Sequence, residues 1–219
     1  MKGRQQMQSY ISPVIGWVLF GLALTVFLMT LVLVLEGGAL VALDNRVQDA
    51  LKPVRTSDVV KTANVFTQLG GVMVDTAITL ACAMFLIWRR EIHRAIILLI
   101  AVYGLGAVTH ALKHMVNRQR PPALEGYFDP SPSFPSDHCA YSAALALCLV
   151  ILVVPVVTDP RHRKLVTIVL LGLPFGVALC RLLLSMHYLS DTIAGLAVGC
   201  AWVVLVVLFF QRLQKSGVM

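Results

Sequence analysis

Charge is scarce in this chain. Only 13% of its 219 residues are Asp, Glu, Lys or Arg, about half the 25% usual in soluble globular domains. Together with 58% hydrophobic residues and a mean hydropathy of +0.82, this excludes a water-soluble enzyme, a disordered segment and a coiled coil. Metal-type and disulfide-type cysteine patterns are missing too. Cys82, Cys148 and Cys200 lie inside apolar runs, and Cys139 and Cys180 lie near run ends. No CxxC pair or Cys/His ligand spacing occurs, so all five read as small buried hydrophobes. No glycine is followed two residues later by serine, which argues against a serine hydrolase of the G-x-S type. Internal repeats and low-complexity segments are also absent. A polytopic membrane protein remains.

Six apolar stretches approach the roughly 20 residues that a membrane-crossing helix needs. They run over residues 14–35, 71–88, 92–112, 139–157, 165–184 and 192–210. The predicted fold is therefore all-α, a single domain over 1–219 with six transmembrane helices. Ser12 and Pro13 suit the cap and first position of the first span, which is too long for a signal-peptide core and reads as retained. Residues 1–12 and 211–219 are the expected cytoplasmic tails. Residues 36–70 form an outer loop with short amphipathic interfacial helices and no chemistry of their own, Ser57 capping the second and Gly70-Gly71 breaking the chain. Residues 113–138 form a second outer loop. Its prolines, Pro121, Pro122, Pro130, Pro132 and Pro135, forbid regular helix and stiffen the backbone.

The charge that exists is mostly positive, 18 Lys+Arg against 11 Asp+Glu. With both termini cytoplasmic, ten cations fall inside: Lys2, Arg4, Arg89, Arg90, Arg94, Arg161, Arg163, Lys164, Arg212 and Lys215. That is the side the positive-inside rule favours. Arg46, Lys52, Arg55 and Lys61 share the first outer loop with Asp44, Asp49 and Asp58. Lys113, Arg118, Arg120 and Arg181 cluster at span ends on the outer face, where topology gives no reason for them.

Three outer segments carry candidate chemistry. Lys113, on the last turn of the third span, can snorkel to the interface, and Arg120 follows seven residues later. A point charge and a planar guanidinium make a sensible phosphate clamp, although juxtamembrane anchoring also accounts for each alone. The fourth span opens on Pro135-Ser136-Asp137-His138. A helix N-terminus offers free N–H groups and partial positive charge to an anion, while Ser136 and Asp137 suit helix capping equally well. His138 can supply a proton at neutral pH. Arg181, His187 and Asp191 bracket the last two spans. The i, i+4 spacing of His187 and Asp191 predicts one helical face, on which the carboxylate fixes one ring nitrogen and leaves the other as nucleophile or base. His110 and His114 share that spacing without a third ligand and read as interfacial packing. Asp75 reads as an interhelical hydrogen-bonding group or an interfacial residue, with no catalytic role.

In order and spacing, Lys113 to Arg120-Pro121 (K-x6-RP), residues 135–138 (P-S-x-H) and Arg181, His187 and Asp191 (R-x5-H-x3-D) resemble the signature of the type 2 phosphatidic acid phosphatase (PAP2) superfamily of integral membrane lipid phosphatases. The resemblance implies a hydrolase that uses no metal and no cofactor. In it His187 attacks phosphorus and forms a phosphohistidine, Asp191 orients the His187 ring, and His138 protonates the leaving group. Lys113, Arg120, Arg181, Ser136 and the backbone N–H groups of Asp137 and His138 hold the phosphoryl oxygens. Developing charge of that kind wants preorganised cations and amide dipoles, and the outer face lacks the carboxylate cluster that Mg²⁺ would need. Two positions depart from the common pattern, Asp137 for glycine and Cys180 for serine. Asp137 points away to cap the helix, pairs with a cation, or helps set substrate choice. Arg118 is a rim cation or simply solvated.

The expected substrate is a lipid phosphate in the bilayer: an undecaprenyl pyrophosphate-like carrier, phosphatidylglycerophosphate, phosphatidate or a lipid A phosphate. The expected location is a bacterial inner membrane with the site on the periplasmic face. Neither nucleic acid nor an obligate protein partner is implied. A lipid phosphotransferase using the same intermediate is one alternative, and an anion-binding transporter is another from a different class.

Overall fold

The computed structural model describes residues 10–156 and 159–216. Its helices are α1 (Pro13–Glu36), α2 (Ala39–Leu51), α3 (Ser57–Thr67), α4 (Val72–Trp88), α5 (Ile92–Val116), α6 (Asp137–Cys148), α7 (Pro160–Leu183) and α8 (Leu189–Lys215). A π turn, Leu149–Val153, and a 3-10 turn, Val154–Val156, extend α6 to 20 residues. The described residues contain no strand.

Five helices are long and apolar enough to span a bilayer alone: α1, α5, the extended α6, α7 and α8. The second expected span takes another form. At 17 residues, α4 is short, and it qualifies only together with α3, across a 40° bend at the glycine pair. The break is pressed against α6, because a Cβ on Gly70 would lie 2.7 Å from the His138 carbonyl oxygen. Glycine permits that approach and side-chain-bearing residues do not.

Local chemistry sets several boundaries. Pro13 opens α1, and Gly37 (φ 72°) closes it in the left-handed conformation, where glycine meets no steric penalty. Asn117 (φ 46°) closes α5. The cap of α3 is Thr56, not Ser57: the Thr56 hydroxyl accepts from Val59 N at 3.4 Å, and Ser57 is already helical. At the opposite end of the bundle, Arg94 is buried, donates to the Leu152 carbonyl and pairs with Glu91 at 3.1 Å. The 19 residues from Arg94 to Lys113 span ~28 Å of helix, so the two cations mark opposite ends.

The core lies where α8 packs between α1, α5 and α6. Facing α6 it offers glycines. A Cβ on Gly195 would meet the Ser136 carbonyl oxygen at 2.5 Å, and one on Gly199 would meet the Ala140 carbonyl oxygen at 2.4 Å. Lipid supplies no hydrophobic drive between helices, so close backbone approach through small residues supplies the packing instead. Asp75 is buried in the first turn of α4 with no protein donor to either carboxylate oxygen. Of the two readings of Asp75, the interhelical hydrogen bond does not form among the described residues.

The Gly199 contact is with backbone, which cannot swing aside. Gly199→Ala is expected to cost about 1–3 kcal/mol and to lower the thermal midpoint read by a thiol dye as the buried Cys139 and Cys148 become exposed. Gly172→Ala, with nothing within 4 Å of its added methyl, is the control. A Gly199→Ala midpoint equal to wild type contradicts the packing argument.

Candidate active site

Two helices begin at one end of the bundle. The first turn of α6 carries Asp137 and His138 behind the cap residue Ser136; that of α8 carries Ser190 and Asp191 behind Tyr188. They are stitched together where Ser136 N donates to the Asp191 carbonyl at 3.0 Å. Ser136 has the extended backbone of a cap, but its hydroxyl makes no capping bond. It is fully buried, with only the weak Cys139 thiol beside it. Capping therefore does not engage this side chain.

Lys113, from the last turn of α5, does not snorkel outward. Only 5% exposed, it turns in, donates from Nζ to the Pro132 carbonyl at 2.7 Å and lies 3.3 Å from Asp137 Oδ2. Among the expectations for Asp137, pairing with a cation is the one seen. Arg120 sits in the non-helical segment 117–135. Its guanidinium donates to the Ser131 carbonyl at 2.8 Å, the Ser131 hydroxyl at 2.9 Å and the Met186 carbonyl at 2.8 Å, and pairs with Asp129 at 2.7 Å. Although burial opposes ionisation of Asp129, the Ser131 N–H and hydroxyl, with Arg120 and Lys113, hold its carboxyl below the usual range.

Arg120 Nη1 also reaches His187 Nε2, at 3.1 Å. Arginine has no acceptor, so Nε2 must present its lone pair and the ring proton belongs on Nδ1. His187 is 1% exposed. Burial pushes its imidazole well below the ordinary range, and the charges of Arg181, Arg120 and Lys113 push the same way. The ring is neutral, and its Nε2 lone pair accepts from Arg120.

His187 and Asp191 do not share a helical face. His187 lies in the turn before α8, whose first residue is Leu189. Asp191 folds back on that turn, accepting from Tyr188 N at 2.9 Å, and its Oδ2 stands 3.7 Å from His187 Nδ1. The pair is adjacent through a helix-start turn, not through i, i+4 spacing. Arg181, in the last turn of α7, is 5% exposed, and its Nε has no partner. Its charge is felt at both His187 and His138. His138 is half-buried and within electrostatic range of Arg181, Arg120, Asp129 and Lys113. The eight candidate residues thus gather at one end of the bundle. A cavity of about 520 Å³ opens beside them, lined by Arg118, Arg120, Tyr127, Asp129, Ser131 and Met186 among others. Lys113, Arg181, His138 and His187 lie beyond its lining.

The first connecting loop contributes more than the sequence suggested. Asp44 and Gln48 of α2 are buried, at 0% and 6% exposure. Gln48 donates to the His187 carbonyl at 2.8 Å. Asp44 pairs with Arg118, which also pairs with Asp191. Arg118 is thus neither rim cation nor solvated. Because α2 is amphipathic, its polar stripe reads as a water-facing surface, and only the tertiary structure turns that stripe onto protein. His110 and His114 stack edge to face at 4.4 Å on an exposed side of α5. Among the described residues no group of three His, Cys, Asp or Glu could hold a metal ion.

The crystal structure of a transmembrane PAP2-type phosphatidylglycerolphosphate phosphatase from Bacillus subtilis superposes with a TM-score of 0.72. The match covers 90% of this chain and 97% of that one at 20% identity, so the fold is shared. No curated protein sequence matches significantly. The sequence profile of the PAP2 superfamily matches residues 94–215, more than half of the chain and the part that carries the site residues. With several bilayer-length apolar helices around that region, the chain is an integral membrane protein that belongs to the PAP2 superfamily.

Proposed function

We propose that this protein is a lipid phosphate phosphatase working through a phosphohistidine on His187. The observation that carries the proposal is the His187 ring itself: buried, neutral, its Nε2 lone pair 3.1 Å from Arg120 and bordered by the charges of Lys113 and Arg181. A neutral nitrogen nucleophile facing several cations suits attack on an anionic phosphorus centre.

In the proposed reaction the phosphate displaces Asp129 from Arg120 and Asp137 from Lys113, and draws Arg120 Nη1 off His187 Nε2, which frees that lone pair for attack. Its oxygens then take those cations, the unpartnered Nε of Arg181, the Ser136 hydroxyl and the first N–H groups of α6. Nε2 forms a bond to phosphorus as the bond to the leaving oxygen breaks, which is the lipid alcohol oxygen of a monophosphate or the bridging oxygen of a diphosphate. His138, protonated once the bound phosphate offsets the cations around it, gives that oxygen its proton. Asp191 stabilises the positive charge that spreads onto the ring through Nδ1–H. Water then attacks the phosphohistidine with His138 as base, releasing inorganic phosphate. Metal is not required by any of these roles.

The substrate class is a membrane amphiphile carrying a terminal phosphate or diphosphate. Family analogy puts a polyprenyl diphosphate or phosphatidylglycerophosphate before phosphatidate and lipid A. The Lys/Arg count supports a site on the outer face with both termini in the cytoplasm, and the small size and minimal loops support a bacterial inner membrane.

The test is phosphate release from a panel of detergent-solubilised lipid phosphates. Wild type is expected to release phosphate with EDTA present, and His187→Ala is expected to lose at least ~10³-fold in turnover. A wild type inactive on every lipid contradicts the activity, and loss in EDTA contradicts the metal-free mechanism. Phosphorylated acceptor lipid in place of free phosphate identifies a phosphotransferase. Full turnover by His187→Ala contradicts the nucleophile. A second prediction concerns pH. An ordinary histidine is half protonated at about pH 6.5, whereas the His187 ring is expected to keep neutral-imidazole ¹⁵N shifts as pH falls through that value. A midpoint at or above it contradicts the buried, cation-flanked assignment.

A further inference from the structure

The residues proposed above as catalytic are held by two others that the reaction does not touch. Arg118 lies between two buried carboxylates. Its Nη1 donates to Asp191 Oδ1 at 2.6 Å and to the Ser190 hydroxyl at 2.7 Å, while Nη2 donates to Asp44 Oδ2 at 2.8 Å. The guanidinium lies 4.3 Å from the centre of the Tyr188 ring. Asp44 in turn accepts from Ser190 N at 2.9 Å and from the Ser190 hydroxyl. Helix α2 is thereby stapled to the first turn of α8, one residue from Asp191.

We propose that Arg118, anchored by Asp44, is a positioning residue that keeps Asp191 ionised and directs its Oδ2 toward Nδ1 of His187. The proposal rests on His187 being the nucleophile. Asp191 has two oxygens and four neighbours to serve. Arg118 occupies Oδ1, so the oxygen left for the ring is Oδ2, which already accepts from Tyr188 N and stands 3.7 Å from Nδ1. The Ser133 hydroxyl is also close to this carboxylate. At 3.7 Å this is an approach and not a hydrogen bond, and Nδ1 has no other partner among the described residues, so Oδ2 is the acceptor nearest to its proton.

Ionisation matters as much as aim. A carboxyl with no solvent exposure keeps its charge only beside a paired cation. Were Asp191 protonated, it would no longer offset the positive charge that builds on the imidazole as Nε2 bonds phosphorus. Arg118 is the one cation that touches Asp191 among the described residues. Burial works against the Arg118 charge, yet Asp191 and Asp44 outweigh it and hold the guanidinium above its ordinary value. A planar fork bridges two carboxylates with parallel N–H groups, which lysine cannot do. Arg120, two residues on, does different work, since it touches His187 Nε2 and the loop carbonyls but neither Asp44 nor Asp191.

The experiment compares full-length wild type, Arg118→Gln, Arg118→Lys and Asp44→Asn in lipid nanodiscs. It reads two quantities: kcat and KM for phosphate release from a lipid phosphate, and the ¹³C shift of the Asp191 carboxyl at neutral pH, assigned with Asp191→Asn. In Arg118→Gln, kcat is expected to fall on the order of 10²-fold with KM nearly unchanged, and the Asp191 carboxyl is expected to move to its protonated shift. Arg118→Lys restores the ionised shift and part of kcat, and Asp44→Asn loses about 10-fold in kcat. A scaffold role alone would lower the thermal midpoint without changing the Asp191 ionisation. An Arg118→Gln protein with Asp191 still ionised, or with wild-type kcat, overturns the proposal. A wild type that releases no phosphate from any lipid contradicts the phosphatase assignment instead, while the carboxyl shifts still decide the role of Arg118.

Discussion

The approach of α6 to α8 governs everything at the site end of the molecule. Gly195 and Gly199 let the α8 backbone come within reach of the Ser136 and Ala140 carbonyls, and the Ser136 N–H to Asp191 carbonyl bond ties the two helix starts together. Both helices therefore aim their positive dipole ends at one place. That placement puts His138 and His187, which are 49 residues apart in sequence, in a single electrostatic neighbourhood. Widening the helix pair by one methyl would separate the two histidines as well as loosen the core.

Charge follows from that geometry. Lys113, Arg181, Asp44 and Asp191 are each at most 5% exposed, as is the His187 ring. Groups of this kind are costly to bury alone; Lys113, Asp44 and Asp191 sit in ion pairs, whereas the Nε of Arg181 has no partner among the described residues. The contacts divide into two sets that meet at His187. On one side Arg118 bridges Asp44 and Asp191 behind the ring. On the other, Lys113 and Arg120 face the ring and are balanced by Asp137 and Asp129. Asp137 and Asp129 are more exposed, at 36% and 34% of their side chains, and in the proposed reaction they yield their cations to the incoming phosphate. Asp44 and Asp191, at zero, cannot. The first set is suited to fixing the ring and the second to exchanging ligands.

Much of this was legible in the sequence. Hydropathy located the spans, and the spacing of Lys113, Arg120, Ser136, His138, Arg181, His187 and Asp191 singled out the side chains that the fold brings together. Three features were not legible, each for a physical reason. Asp44 and Gln48 face protein although an amphipathic segment gives the same pattern whether its polar stripe meets water or a buried network. Lys113 turns inward because the Pro132 carbonyl and Asp137, both in or beyond a loop without periodic structure, offer it better partners than the interface does. His187 precedes α8 because Asp191 caps the turn, and spacing alone cannot distinguish a helical turn from a capped helix start. Arg118 had one available signal: a cation in an otherwise apolar chain for which neither topology nor solubility accounts.

The claim on which all this depends is that His187 carries the phosphoryl group. The direct measurement is to mix enzyme with lipid labelled at its terminal phosphate, quench within the first turnover in alkaline detergent, and follow the label on the protein. Label that survives alkali, is lost in acid and is absent from His187→Ala is the predicted result. Label that resists acid, or that remains on His187→Ala, would contradict it.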